Sequence, residues 1–205
     1  MVETTRQSTT TDRILRKARE MFLEAGFVHV TMDDVAYQLG MSKRTLYEHV
    51  RSKRELLREA MLQQVRIITT GVTAIAENPD LNPTDKLRQL VLFASETVPR
   101  PSRQFLLDMQ RSAPELWGEI DRHRSEAVQR SFRRIFEEGQ SRGLFRGDLD
   151  VELFLLLLSV LVQKVVNPEV LADVPFTAAQ AFSGIVDVLT TGILTDEGRR
   201  CLQGN

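Results

Sequence analysis

The sequence predicts an all-α chain, and three observations carry that expectation. Apolar residues recur at helical spacing along most of the 205 residues, with no sustained alternation of the kind that marks a half-buried strand. These stretches are separated by breakers: Gly26, Gly40, Asn78-Pro79, Asn82-Pro83, Pro99-Arg100-Pro101, Ala113-Pro114, Gly143 and Asn167-Pro168. At several breaks a Ser, Thr, Asn or Asp stands where a helix needs an N-cap.

The first helix starts near Thr9 or Thr10, places Ile14, Leu15, Ala18, Met21, Phe22 and Ala25 on one stripe, and ends at Gly26. Residues 1–8, rich in Thr and Ser, read as a mobile tail, and the opening stretch has no apolar core to make a signal peptide. Thr31 caps a second helix, with Asp34 completing a capping box and Val35, Ala36 and Leu39 as its apolar stripe. Gly40 follows, where a left-handed residue ends a helix without a Cβ penalty. Ser42 caps a short third helix that carries Lys43, Arg44, Thr45, Tyr47 and His49 on one side and Leu46 and Val50 on the other.

Two short helices hinged at a glycine make a helix-turn-helix, whose second helix lies in the major groove with its N-terminal residues against base edges. Lys43 and Arg44 are therefore candidate base contacts. Thr31, Ser42, Tyr47, His49 and Lys53 are candidate phosphate contacts, and Thr45 belongs to the same surface. For His49 and Thr45 a packing role competes with a DNA contact. The net charge of -1 conceals an asymmetry in the same direction: residues 1–58 hold eleven Lys and Arg against eight Asp and Glu, and the rest sixteen against twenty.

The stretch TMDDVAYQLGMSKRTLYEHVRSKRELL resembles the N-terminal DNA-binding domain of the tetracycline-repressor (TetR) family of bacterial transcription regulators. The resemblance covers residues 10–58, including Gly26, Phe27, Thr31, Ala36, Gly40, Ser42, Thr45, Leu46, Tyr47 and Lys53. Two positions depart from the family's commonest pattern: Val50 stands where Phe is frequent, and Arg44 where a small residue is common. The resemblance implies a three-helix helix-turn-helix domain over residues 1–52 and a helical effector-binding and dimerisation domain over 53–205. It also implies a cytoplasmic, homodimeric, ligand-responsive regulator of operator DNA, most simply a repressor, with no cofactor and no enzymatic activity.

The helix from Ser52, with Glu55 as a second capping box, runs toward Glu77 and crosses this boundary, so that it can link the two domains mechanically. Gly71 within it points to a bend or a close backbone contact. Further helices follow from Asn82-Pro83, from Ser102 to Ser112, and from Pro114 to about Arg142. Among their apolar positions Met61, Gln64, Phe93, Phe105, Met109, Trp117, His123 and Gln163 combine grease with a few polar or soft groups, the composition of a small-molecule pocket and equally of a helical core.

Asp150 caps the most apolar segment, VELFLLLLSVLVQKVV, which at sixteen residues with Glu152, Gln163 and Lys164 inside is shorter than the roughly 20 that a membrane span needs. Thr177 and Gln180 open a last helix with Phe182, Ile185 and Leu189 on its apolar face, before a polar tail, DEGRRCLQGN. In the family resembled, two such helices from each of two chains form a four-helix interface, which would use Leu153, Leu157, Val160, Leu161, Phe182, Ile185 and Leu189. The residues alone leave an ordinary intramolecular core equally open.

Little supports catalysis or metal binding. His29, His49 and His123 have no partners at ligand spacing, and Glu137-Glu138 reads as a solvated pair. The single cysteine, Cys201, excludes a disulfide framework and reads as an incidental exposed thiol. Two other classes share parts of this reading: a constitutive DNA-organising protein without an effector, and a dimeric adaptor without DNA binding.

Overall fold

The computed structural model describes residues 2–97, 101–165, 170, 174–176 and 178–203. Among these lie ten helices: α1 Val2–Ala25, α2 Met32–Leu39, α3 Lys43–His49, α4 Lys53–Glu77, α5 Pro83–Thr97, α6 Arg103–Ser112, α7 Pro114–Ser141, α8 Val151–Val165, α9 Ala178–Ile193 and α10 Asp196–Gln203. The only strand-like pairing among the described residues is an isolated antiparallel bridge between Phe145 and Leu194. The Asn167-Pro168 stop and the Thr177 cap lie outside the described residues.

The helices form two compact units, Met1–Arg66 with Pro101–Asp121, and Ile67–Arg100 with Arg122–Asn205. The chain thus divides differently from the expected boundary after residue 52. The first half of α4 presents Leu56, Leu57, Ala60, Met61 and Val65 to the same core as Ile14, Phe22 and Leu46. That core is completed by Phe105, Leu106 and Met109 of α6 and by Leu116 and Ile120 of α7. One long and two short helices enclose too little apolar area to bury that stripe, so later segments of the chain supply the remainder.

Caps fix where these helices begin. Thr31 Oγ1 accepts from Asp34 N (3.1 Å) and Ser42 Oγ from Thr45 N (3.0 Å). Ser102 Oγ accepts from Phe105 N (3.1 Å), and the Ser102 amide in turn donates to Leu23 O (2.7 Å). Asp108 of α6 is buried and accepts from Val28 N (2.8 Å) and from Gln104 Nε2 (2.7 Å), tying α6 to the turn after α1. Gly26 in that turn has φ 89°, and a Cβ there would strike the Gln104 and Asp108 side chains.

In the second unit Phe132, Ile135 and Phe136 of α7 meet Phe154, Leu155 and Leu158 of α8 and Val186 and Ile193 of α9. The Phe136 and Phe154 rings lie 4.9 Å apart between centroids. Gly71, read as a bend or a close approach, is a close approach: the Phe93 ring occupies the place a Cβ would take.

Four expectations change. Helix α1 begins at Val2 rather than near Thr9, because extending an existing helix through Thr and Ser costs only tenths of a kcal/mol per residue. The C-terminal tail is helix α10, capped by Thr195 Oγ1, which accepts from Gly198 N (3.0 Å). Cys201 is half-buried against the second core. Glu138 is not solvated: it accepts from the buried Lys86 Nζ (2.6 Å) and pairs with Arg142 Nη2 (2.8 Å), an arrangement costly to break because one charge would be left buried alone.

Gly139 and Gly118 give opposite predictions within α7. A Cβ on Gly139 would fall inside the buried Phe145 ring, whereas one on Gly118 meets nothing within 4 Å. Gly139→Ala should therefore lose about 1–3 kcal/mol to overpacking, beyond the roughly 1 kcal/mol gained in helix propensity. Gly118→Ala should gain up to that propensity. Thermal melts of the two variants against the parent check both signs.

A candidate nucleic-acid interface and a cavity in the second unit

The candidate reader is built from α2, α3 and the turn between them. Gly40 closes α2 in the left-handed region (φ 65°), with its N–H on Tyr37 O (3.0 Å) and the next amide, Met41 N, on Ala36 O (3.0 Å). Leu46 is fully buried and Val50 nearly so, which turns the opposite side of α3 to solvent. On that side Arg44 has 92% of its side chain exposed and pairs with Glu48, at 3.6 Å. Tyr47 is also exposed.

Lys43 Nζ donates to Asp33 Oδ2 (3.0 Å), and this bond holds its ammonium above the usual lysine range. Both partners are exposed, so the pair contributes little, and Lys43 can exchange Asp33 for DNA at small cost. Ser42 and Thr45 bond each other through their hydroxyls (2.9 Å). His49 Nδ1 lies 3.0 Å from Thr11 Oγ1, which ties α3 to α1. Thr31 is exposed but committed to its cap: its amide (2.8 Å) and its hydroxyl (2.6 Å) both donate to Asp34 Oδ2. That hydroxyl bond holds the Asp34 carboxyl below the usual carboxylate range.

Lys53 sits differently from a free phosphate-seeking lysine. Its ammonium donates to Val28 O (3.0 Å) and lies 4.6 Å above the Phe27 ring. Burial pushes it below the usual lysine range while Asp108 and Asp34 pull it back. An ammonium has three donors, so one bond to Val28 leaves room for a phosphate as well.

Sequence reasoning passed over Tyr37 of α2, which is 83% exposed. The signal was present, since Tyr37 lies off the stripe of Val35, Ala36 and Leu39. Arg13 was also passed over as a support; its Nη2 donates to Leu39 O (3.2 Å), at the end of α2.

The residues expected to line one pocket are dispersed. Met61, Gln64, Phe105 and Met109 are buried in the first unit, and Trp117 packs half-buried against its core. His123 is exposed on α7. Only Phe93 and Gln163 line a cavity of about 100 Å³ in the second unit. Its apolar wall comes from Ile68 and Val72 of α4, Leu90 and Phe93 of α5, Val128 and Phe132 of α7, Leu155, Leu158 and Val162 of α8, and Phe182 of α9. Arg124, Ser125, Gln129, Ser159 and Gln163 form its polar part. Phe93 was legible as an aromatic on a helix, but the meeting of five helices around it was not.

Of the residues expected at a subunit interface, Leu153, Leu157 and Val160 are exposed. Leu161, Phe182, Ile185 and Leu189 are half-buried, and Phe182 faces the cavity. Leu156, and Val188 from the apolar face of the last helix, were not among the expected interface residues and are 58% and 72% exposed. No helix among the described residues is long and apolar enough to cross a membrane.

Residues 14–60, which include every candidate DNA contact, match the family model of bacterial regulatory proteins, tetR family. Residues 14–60 form a DNA-binding domain of the TetR type. The chain is 27% identical over 185 residues, 90% of this chain and 96% of the relative, to the uncharacterised HTH-type transcriptional regulator YvaF of Bacillus subtilis. To the HTH-type transcriptional repressor KstR2 of Mycobacterium tuberculosis it is 26% identical over 143 residues, 68% of this chain and 71% of the relative. The solved structure of PfmR, a TetR-family transcriptional regulator from Thermus thermophilus, superposes with a TM-score of 0.60 at 25% identity, covering 86% of this chain and 96% of that one. The chain is thus a DNA-binding transcriptional regulator with a helix-turn-helix reader of the TetR type.

The geometry separates two kinds of variant. Arg44→Ala should change the preferred sequence, because an exposed guanidinium can pair bidentately with guanine O6 and N7, a contact worth about 1–3 kcal/mol of discrimination. Lys53→Ala should weaken all sites alike, reduce the salt slope by about one, and also lower the melting temperature by loosening the α1–α2 turn. Selection profiles and melts of both proteins decide; an unchanged profile for Arg44→Ala would remove it from the base-reading set.

Asp34 adds a pH dependence. Its folded-state pKa is depressed, so its contribution to the cap is complete above the ordinary carboxylate pKa and is lost as pH falls through the lowered value. Asp34→Asn should lower the melting temperature at pH 7, with a deficit that shrinks below about pH 4.

Proposed function

We propose that this regulator is a homodimeric repressor that binds a pseudo-palindromic operator and releases it when a small, largely apolar effector enters the second unit. One observation carries the reading: α4 contributes Leu56 and Leu57 to the core that holds the reader and, about three to four turns on, Ile68 and Val72 to the wall of the cavity. A ligand that changes that wall acts on a helix whose other half is built into the DNA-binding unit. The coupling needed is modest, typically 1–3 kcal/mol.

Two further observations support it. The relative KstR2 of Mycobacterium tuberculosis is named a repressor and, in its solved structure, a ketosteroid transcriptional regulator, names in keeping with repression and with an apolar chemistry. Leu153, Leu156, Leu157 and Val160 of α8 and Val188 of α9 leave apolar side chains uncovered, as an isologous two-fold interface requires. Arg44 and Lys43 act as base readers, while Ser42, Thr31, Thr45, Tyr47, His49 and Lys53 position the phosphate backbone or hold the helices that do.

Sedimentation should give a dimer at micromolar concentration, and Leu157→Asp should give monomer or aggregate. Half-sites in the selected operator should stand about one helical turn, or a multiple, apart. An apolar compound that raises the melting temperature of the free protein should weaken operator binding, and operator DNA should weaken the compound by the same factor. Phe93→Ala should blunt both effects. A dimer that binds a specific operator but answers to no compound would instead be a constitutive DNA-organising protein.

A further inference from the structure

We infer that the cavity of the second unit takes a compact apolar monocarboxylate, with its carboxylate on Arg124 and its hydrocarbon body among the buried side chains. The inference rests on the proposed effector role of that cavity and names the chemical class of the effector.

Charge comes first. Among the described residues that line the cavity, Arg124 is the only charged one, and no Asp or Glu lines it. A cationic ligand would find no counter-charge there. A neutral ligand closing the mouth would take water from a half-buried guanidinium and return nothing. An anion returns a charge-assisted bond, and a carboxylate matches the planar guanidinium fork in two parallel hydrogen bonds. Five N–H donors let Arg124 keep an intramolecular partner and still present an edge to the ligand.

The polarity of the wall then orients the ligand. Arg124, Val128 and Phe132 follow one another at four-residue spacing along α7, from the half-buried Arg124 to Phe132, which is 2% exposed. Ser125 and Ser159 are half-buried and Gln129 and Gln163 exposed, so hydroxyls and amides gather toward the mouth with the guanidinium. The head therefore sits near solvent and the body points to Phe132.

Size supplies the last constraint. The cavity of about 100 Å³ is smaller than the roughly 150 Å³ apolar cavity that accepts benzene. That bounds the body at one ring or a short aliphatic chain, with the carboxylate outside it at the mouth, and excludes a fused polycycle; an arylacetic or medium-chain acid meets that bound with a single charge.

The test is a matched series of probes on the full chain, read by thermal shift, calorimetric titration and operator binding: phenylacetate and hexanoate, the neutral phenylacetamide and hexanol, and the cation phenethylammonium. The acids should bind about ten- to a hundredfold more tightly than their neutral counterparts, and they should weaken operator binding. Arg124→Met should abolish that preference while leaving the affinity for phenylacetamide within a few fold, and Arg124→Lys should restore part of it. Neutral probes that bind the parent as tightly as the acids and release the operator would overturn the monocarboxylate and leave the effector function standing. A dimer that binds its operator and responds to no probe of any charge would overturn both.

Discussion

A helix of seven residues does not hold its shape in water, since nucleation costs more than so few hydrogen bonds return. The candidate DNA-reading surface is carried on such a helix. What keeps α3 helical is the burial of Leu46 and Val50 in a core they share with Ile14, Phe22, Leu56 and Leu57, together with the Ser42 cap at one end. Once Leu46 is buried, the direction of Arg44 and Tyr47 follows from helical geometry alone. The turn at Gly40 and the capping box at Thr31 serve the same end, because they set the place where α3 begins.

The same requirement for apolar cover explains why the first unit reaches so far along the sequence. Helix α6 and the start of α7 add Phe105, Leu106, Met109, Leu116 and Ile120 to the core that holds Leu56, Leu57, Ala60 and Met61, and Asp108 anchors α6 to the amide of Val28. The turn that Asp108 holds also carries Phe27, on whose ring Lys53 rests. Part of what reads as a DNA contact in the sequence is therefore also a structural clasp, and the depressed lysine pKa reflects the partial burial which that clasp requires.

In the second unit the packing is aromatic where helices approach closely and incomplete where they diverge. Phe145 against Gly139 and Phe93 against Gly71 show side chains replacing absent Cβ atoms. The cavity lies where five helices contribute apolar side chains without filling the space between them. Natural interiors rarely leave voids larger than a water molecule, so a lined cavity with one cationic edge is a feature to be explained by function more than by packing error.

The local content of the fold was legible in the sequence. Helical periodicity, the caps at Thr31, Ser42, Asn82, Ser102 and Asp150, and the left-handed glycines at 26, 40 and 143 are properties of a few adjacent residues, and each sits where the pattern places it. The outward set on α3 was legible for the same reason. Tertiary structure decided what depends on meetings between distant segments. It buried Phe105 and Met109 in the first core, placed Phe93 and Gln163 at the cavity with Arg124, gave Glu138 to Lys86, and folded the polar tail into α10. Periodicity tells which face of a helix seeks burial, but a Phe on that face carries no mark of which of two cores will take it. That choice belongs to the partners, and here they stand tens of residues away in the chain.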